Sequence, residues 1–156
     1  MNRRSLLAAL TCLPAAKALA EHGWEPYDLA RPLFLEGPVM TIIWGDPHPY
    51  LELLHRPREN AVPAEILGRE VPRQQENIDA RALLRKALVP TVHGEIWRVE
   101  LPSLARMSKW KMPRPKIEQV VSLIGYLGPQ LLDTKTVRAE IFFVDGKAYP
   151  TRSDPA

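Results

Sequence analysis

Two histidines are the residues of this chain best placed to do chemistry. His22 stands one position after Glu21, where a new N-terminus is expected, and His48 follows Trp44-Gly45-Asp46-Pro47. A free amine and two imidazoles are nitrogen donors that suit copper(II) or zinc, and the carboxylates of Glu21, Asp28 and Asp46 could complete or orient the set. The spacing matches no established metal signature, and histidine in second place denies the chain a terminal-histidine brace. The same residues have a plain structural use, with His48 capping a turn and His22 pinning the arm. A second group is aromatic. Trp24, Tyr27, Trp44 and Trp97, with Asp46 beside them, are candidate binding residues for a sugar or another flat ligand; the competing use of large rings in a small domain is to fill its core. Met40, Met107 and Met112 could offer sulfur to copper(I), but their irregular spacing suits core filling better. His55 and His93 flank a middle excursion as surface residues. No Gly-x-Ser-x-Gly elbow, phosphate-cradling glycine loop or His-Glu-x-x-His pair occurs, so no catalytic activity is assigned.

The first twenty residues decide which of these groups are available. Arg3 and Arg4 form a basic head, Leu6 to Ala16 a short apolar stretch, and Ala18-Leu19-Ala20 a small-x-small exit, the three parts of a cleavable export signal. The stretch is shorter than the ~20 residues a membrane-spanning helix needs, so no stable membrane insertion is expected after cleavage. Arg3-Arg4-Ser5-Leu6-Leu7 fits both an ordinary basic head and a twin-arginine export signal. Cleavage after Ala20 leaves 156 − 20 = 136 residues for one domain, 21–156, in the periplasm of a Gram-negative-type envelope. It also removes Arg3, Arg4 and Lys17, so 21 basic residues become 18 against 18 acidic ones. A neutral domain is not built for nucleic acid. Cys12, the only cysteine, leaves with the signal, and a domain without disulfides depends on its core. The expected partner is an envelope protein or a small ligand.

The elements that must position these residues are mostly strands. Leu33 to Trp44 is rich in β-branched and aromatic residues and reads as a long strand, bent or bulged at Gly37-Pro38. Gly45-Asp46-Pro47 makes a turn and Tyr50–Leu54 returns. Residues 56–92 form an excursion from the barrel; its first part, 56–77, is proline-rich, charged and outside the core. Asn77 caps a short helix stopped by Pro90, with Leu83, Leu84, Ala87 and Leu88 as its apolar stripe against the barrel. Glu95 to Leu101 alternates cleanly and is a half-buried strand. Ser103 caps a helical turn reaching Trp110, and 117–126 and 137–144 are further apolar strands, the last ending at the Asp145-Gly146 turn. Five or six strands with one or two short helices indicate a mainly β fold: a small antiparallel, partly open barrel like the oligonucleotide/oligosaccharide-binding (OB) fold.

Several segments resemble one known pattern. Glu21-His22-Gly23-Trp24, Tyr27-Asp28, Leu35-Glu36-Gly37-Pro38-Val39, Trp44-Gly45-Asp46-Pro47-His48 and Trp97-Arg98-Val99-Glu100-Leu101 are similar to a family of small exported bacterial proteins of unknown function. Mature chains of that family open His-His-Gly-Trp or His-His-Ser-Phe and carry a strand ending Trp-x-Asn-Pro-His. Gly125-Tyr126 and Arg138-Ala139-Glu140 also match, while the 56–92 excursion is longer than the family's. Glu21 replaces the first histidine and Asp46 the asparagine. The resemblance implies the fold and the compartment and brings no activity with it.

Overall fold

In the computed structural model, which describes residues 23–47, 49–130 and 133–156, the first strand, β1 (Pro32–Ile43), is long enough to serve two neighbours. Pro32 to Pro38 pair with β4 (Val120–Leu127), and Val39 to Ile43 pair with β2 (Tyr50–Leu54). The exchange falls at Gly37-Pro38 because Pro38 has no N–H to donate. Gly37 also lies against the end of β2, where a Cβ would overlap the Leu54 carbonyl oxygen. The irregularity expected at this dipeptide is displaced to the Val39–Thr41 step, where the β1–β2 register shifts.

β2 pairs antiparallel with β3 (Ile96–Glu100), and β4 with β5 (Lys135–Val144). A parallel β3–β5 pair then closes five strands into a barrel, and β6 (Lys147–Pro150) adds a sixth strand beside β5. The expected mainly β, OB-like barrel is therefore present, but it is closed rather than partly open and mixed rather than antiparallel, because one parallel seam joins β3 to β5. Three short helices accompany it: α1 (Ala64–Leu67), α2 (Ala80–Lys86) and α3 (Leu104–Lys109). Ser103 caps α3 as expected, its hydroxyl accepting from the Arg106 N–H at 3.3 Å. The cap of α2 is Asp79 rather than Asn77, since Asp79 is the residue whose oxygen reaches the Ala82 N–H, at 2.9 Å.

Strand alternation splits the apolar residues into two cores. Leu35, Leu51, Leu53, Val99, Leu123, Val137 and Phe142 fill the barrel. Phe34, Ile124, Ile141 and Phe143 point outward from the same strands and are covered by Ile66, Leu83 and Leu84 of the excursion. The excursion is thus part of a core, contrary to its reading as a segment outside it; its few apolar residues suffice because the barrel wall supplies the other side. Leu88 departs from the expected stripe. It is exposed, and its backbone instead accepts from the Phe34 N–H and donates to the Pro32 carbonyl.

Candidate binding face

The excursion covers only one side of the barrel. On the other side the outward residues of β1, β2, β3 and β5 stand in cross-strand rows fixed by register. One row runs Ile43, Tyr50, Glu100, Arg138, and the next Thr41, Glu52, Arg98, Thr136. With strands ~4.8 Å apart, each row spans about 14 Å. Leu54 and Ile96 begin a third row, and Ile43 and Ile96 are exposed apolar residues on this side.

The polar groups of the face are arranged around an incomplete centre. The Arg98 guanidinium lies over the Tyr50 ring, 4.2 Å from its centroid, a cation–π contact that leaves its N–H groups directed elsewhere. Arg98 Nε and, in the register position across the parallel seam, Thr136 Oγ1 are both buried, and neither has a hydrogen-bond partner among the described residues. Buried donors are ordinarily satisfied, so two neighbouring orphans mark a place where an acceptor belongs.

The N-terminal arm frames one end of the first row. The Tyr27 hydroxyl donates to Glu100, and burial followed by this carboxylate raises the Tyr27 pKa. The Tyr27 ring packs on Gly128, where a Cβ would come within 2.5 Å of it. Trp24 meets Tyr27 and Tyr126 edge-to-face, with centroids 5.9 Å apart in each pair. Arg138 stacks on the Trp24 ring at 4.6 Å and Arg152 at 4.2 Å. Arg152 in turn clamps the fully buried Glu140 through Nε and a second guanidinium nitrogen.

The aromatic and acidic candidates therefore fall in three places. Trp24 and Tyr27 come together at the arm, beside the face. Trp44, half-buried, packs against the barrel core at the far end of the row, and exposed Asp46 accepts from the Leu104 N–H at 3.1 Å at the start of α3. The Asp46–Pro47 bond is cis. Trp97 lies inside the barrel, 3 % exposed, with Lys135 5.2 Å from its ring. Trp97 also neighbours His55, which is buried rather than a surface residue. His55 Nε2 sits 3.0 Å from the Pro90 carbonyl, which can only accept, so the proton is on Nε2. Burial lowers the His55 pKa, disfavouring the charged ring.

Both histidines of the metal reading, His22 and His48, lie outside the described residues, as do Glu21 and the export signal. Among the described residues no group of three or more His, Cys, Asp or Glu could hold a metal ion, and no helix is long and apolar enough to cross a membrane. Tyr50, Glu52, Arg98 and Thr136 were not singled out from sequence. The available signal was the alternation of β2 and β3, which shows which side chains point outward but not which face another segment covers. No protein-family model, curated protein or solved structure matches the chain.

Proposed function

We propose that this protein is a binding or accessory module of the bacterial envelope, exported by its N-terminal signal, that holds a small polar ligand or an envelope partner on the open side of its barrel. One observation carries the reading. The half of the barrel left bare by the excursion is the half on which Arg98 Nε and Thr136 Oγ1 are buried without partners, next to the Tyr50 ring. The face has the composition of a site for a polar ligand with a flat side: a ring at its centre, carboxylates Glu52 and Glu100, cations Arg98 and Arg138, and aromatics at its rim. It is also the β2–β3 surface that OB-like barrels use for ligands.

The test is a titration of isotopically labelled protein with soluble disaccharides and dicarboxylates, followed by backbone amide shifts. Shifts concentrated on Tyr50, Glu52, Arg98, Glu100 and Thr136, and lost in Arg98→Ala and Thr136→Val, are the expected result. Shifts confined to other surfaces, or binding indifferent to both substitutions, would remove this face from consideration. Intact mass and cell fractionation test the compartment: a product beginning at Glu21 in the periplasmic fraction is expected, and a cytosolic chain still carrying Met1 would overturn it.

A further inference from the structure

A cleft of about 630 Å³, within the ~300–1,000 Å³ typical of ligand sites, lies between the excursion, the segment that follows α3 and the β5–β6 hairpin. It shares no lining residue with the open face of the barrel. Trp110 supplies a flat wall, and its indole N–H fixes the ring by donating to the Ser153 carbonyl at 3.0 Å. Tyr149 lines the cleft as well. This residue is only 8 % exposed, yet its hydroxyl makes no hydrogen bond among the described residues. On the excursion side Arg69 donates one N–H to the Gly146 carbonyl, while its buried Nε has no partner. Buried donors are ordinarily matched, so two side chains bordering one cavity are each short of an acceptor.

The charges give the missing acceptor its sign. Lys111 and Lys147 complete the cationic lining, and neither amine has a partner among the described residues. Glu65 and Glu70 oppose them, and Glu65 has only a share of Arg58, which also holds the buried Glu36. Three cations, Arg69, Lys111 and Lys147, thus meet two carboxylates. The surplus suits a single negative charge.

Lys111 stands where the backbone asks for glycine. Its φ is 51°, because the Lys111 N–H donates to the Ser108 carbonyl and the Met112 N–H to the Met107 carbonyl, the paired bonds that end a helix on a left-handed residue. Glycine adopts that conformation without strain. The stop of α3 therefore gains nothing from the lysine side chain, which projects its charge at the cleft beside Trp110.

We propose that this cleft binds a small organic monocarboxylate with a flat apolar body, the carboxylate lying among Lys111, Lys147 and the Tyr149 hydroxyl and the body against the Trp110 ring. Arg69 adds positive charge from the opposite wall, and Glu65 and Glu70 select against a second negative charge on the ligand.

The test titrates isotopically labelled protein with indole-3-acetate, its neutral amide and inorganic phosphate. Saturable shifts at the amides of 110–111 and 146–149 and at the Trp110 indole N–H are expected with indole-3-acetate, at least tenfold weaker with indole-3-acetamide or with phosphate. Lys147→Gln and Tyr149→Phe should each weaken indole-3-acetate at least threefold. Lys111→Gly separates binding from folding: it should do the same while leaving the thermal midpoint unchanged or raised. Equal binding by the amide or by phosphate, or indifference to both Lys111→Gly and Lys147→Gln, would overturn the proposal. So would an absence of saturable shifts at these residues, including shifts confined to Tyr50, Arg98 and Thr136, which would assign the anion to the open face instead.

Discussion

Arg152 grips the buried carboxylate of Glu140 and lays the flat of the same guanidinium over Trp24, so one side chain ties the C-terminal segment, β5 and the N-terminal arm together. Glu140 is fully buried and the Arg152 side chain only 13 % exposed. Removing one partner of such a pair strands the other in a poorly hydrated site. Arg152→Ala is expected to cost about 3–5 kcal/mol in urea unfolding, whereas the double variant Glu140→Leu with Arg152→Met recovers most of that loss. Equal loss in both would show that the charge is not what matters.

Tyr27→Phe deletes the hydroxyl that donates to Glu100 while keeping the ring. The expected cost is about 1.5 kcal/mol, the lower end for a hydrogen bond to a charged group at a half-exposed site. Because burial and Glu100 both raise the pKa of this phenol, the variant should also lose the latest-titrating tyrosine in an alkaline absorbance titration near the phenolate band.

Glu36 and Glu140 give acid stability opposite signs. Burial pushes the Glu36 carboxyl up, but hydrogen bonds from the Arg58 side chain and backbone and from Ser122 outweigh it and hold its pKa below the ordinary value. The unfolded chain then binds the extra proton, and the stability that Glu36 supplies is present above the ordinary carboxylate pKa of ~4.3 and lost as pH falls through the depressed one. For Glu140 burial prevails over Arg152 and raises the pKa, so the folded state binds a proton more tightly than the unfolded chain does, and this contribution declines as pH rises through the window above the ordinary value. Urea midpoints measured between pH 3 and pH 7 should show a flatter acid arm for Glu36→Gln and a steeper one for Glu140→Gln.

Leu84 is 2 % exposed and belongs to the outer core between α2 and the barrel wall. Leu84→Ala is expected to destabilise by about 2–4 kcal/mol. Far-UV circular dichroism and tryptophan fluorescence should nevertheless report a single coincident transition, because the strands facing Leu84 also face the inner core. Two separated transitions would mean that the excursion melts by itself.

Sequence made the strands legible where apolar residues alternate, as in Glu95 to Leu101, and where turn chemistry is strict, as at Asp145-Gly146. It was weaker where tertiary cover decides the outcome. Residues 56–77 look polar and proline-rich, yet Ile66 is buried because Phe34, Ile124 and Phe143 already provide an apolar wall for it. The outer residues of β2 and β3 show the same limit from the other side. Tyr50, Glu52 and Arg98 read as ordinary solvent-facing positions until register sets Arg98 across from Thr136 and shows both as buried orphans. Trp97 illustrates how a large ring that is equally plausible in a site or in a core is assigned only by the inward phase of its strand.

The alternation of β1, β4 and β5 between two cores also constrains how this chain can change over evolutionary time. A shortened descendant lacking the excursion would bare Phe34, Ile124, Ile141 and Phe143 as one greasy stripe. Deleting the loop and repainting that wall with polar residues would have to happen together, so the ornament-like insertion is as hard to discard as a strand.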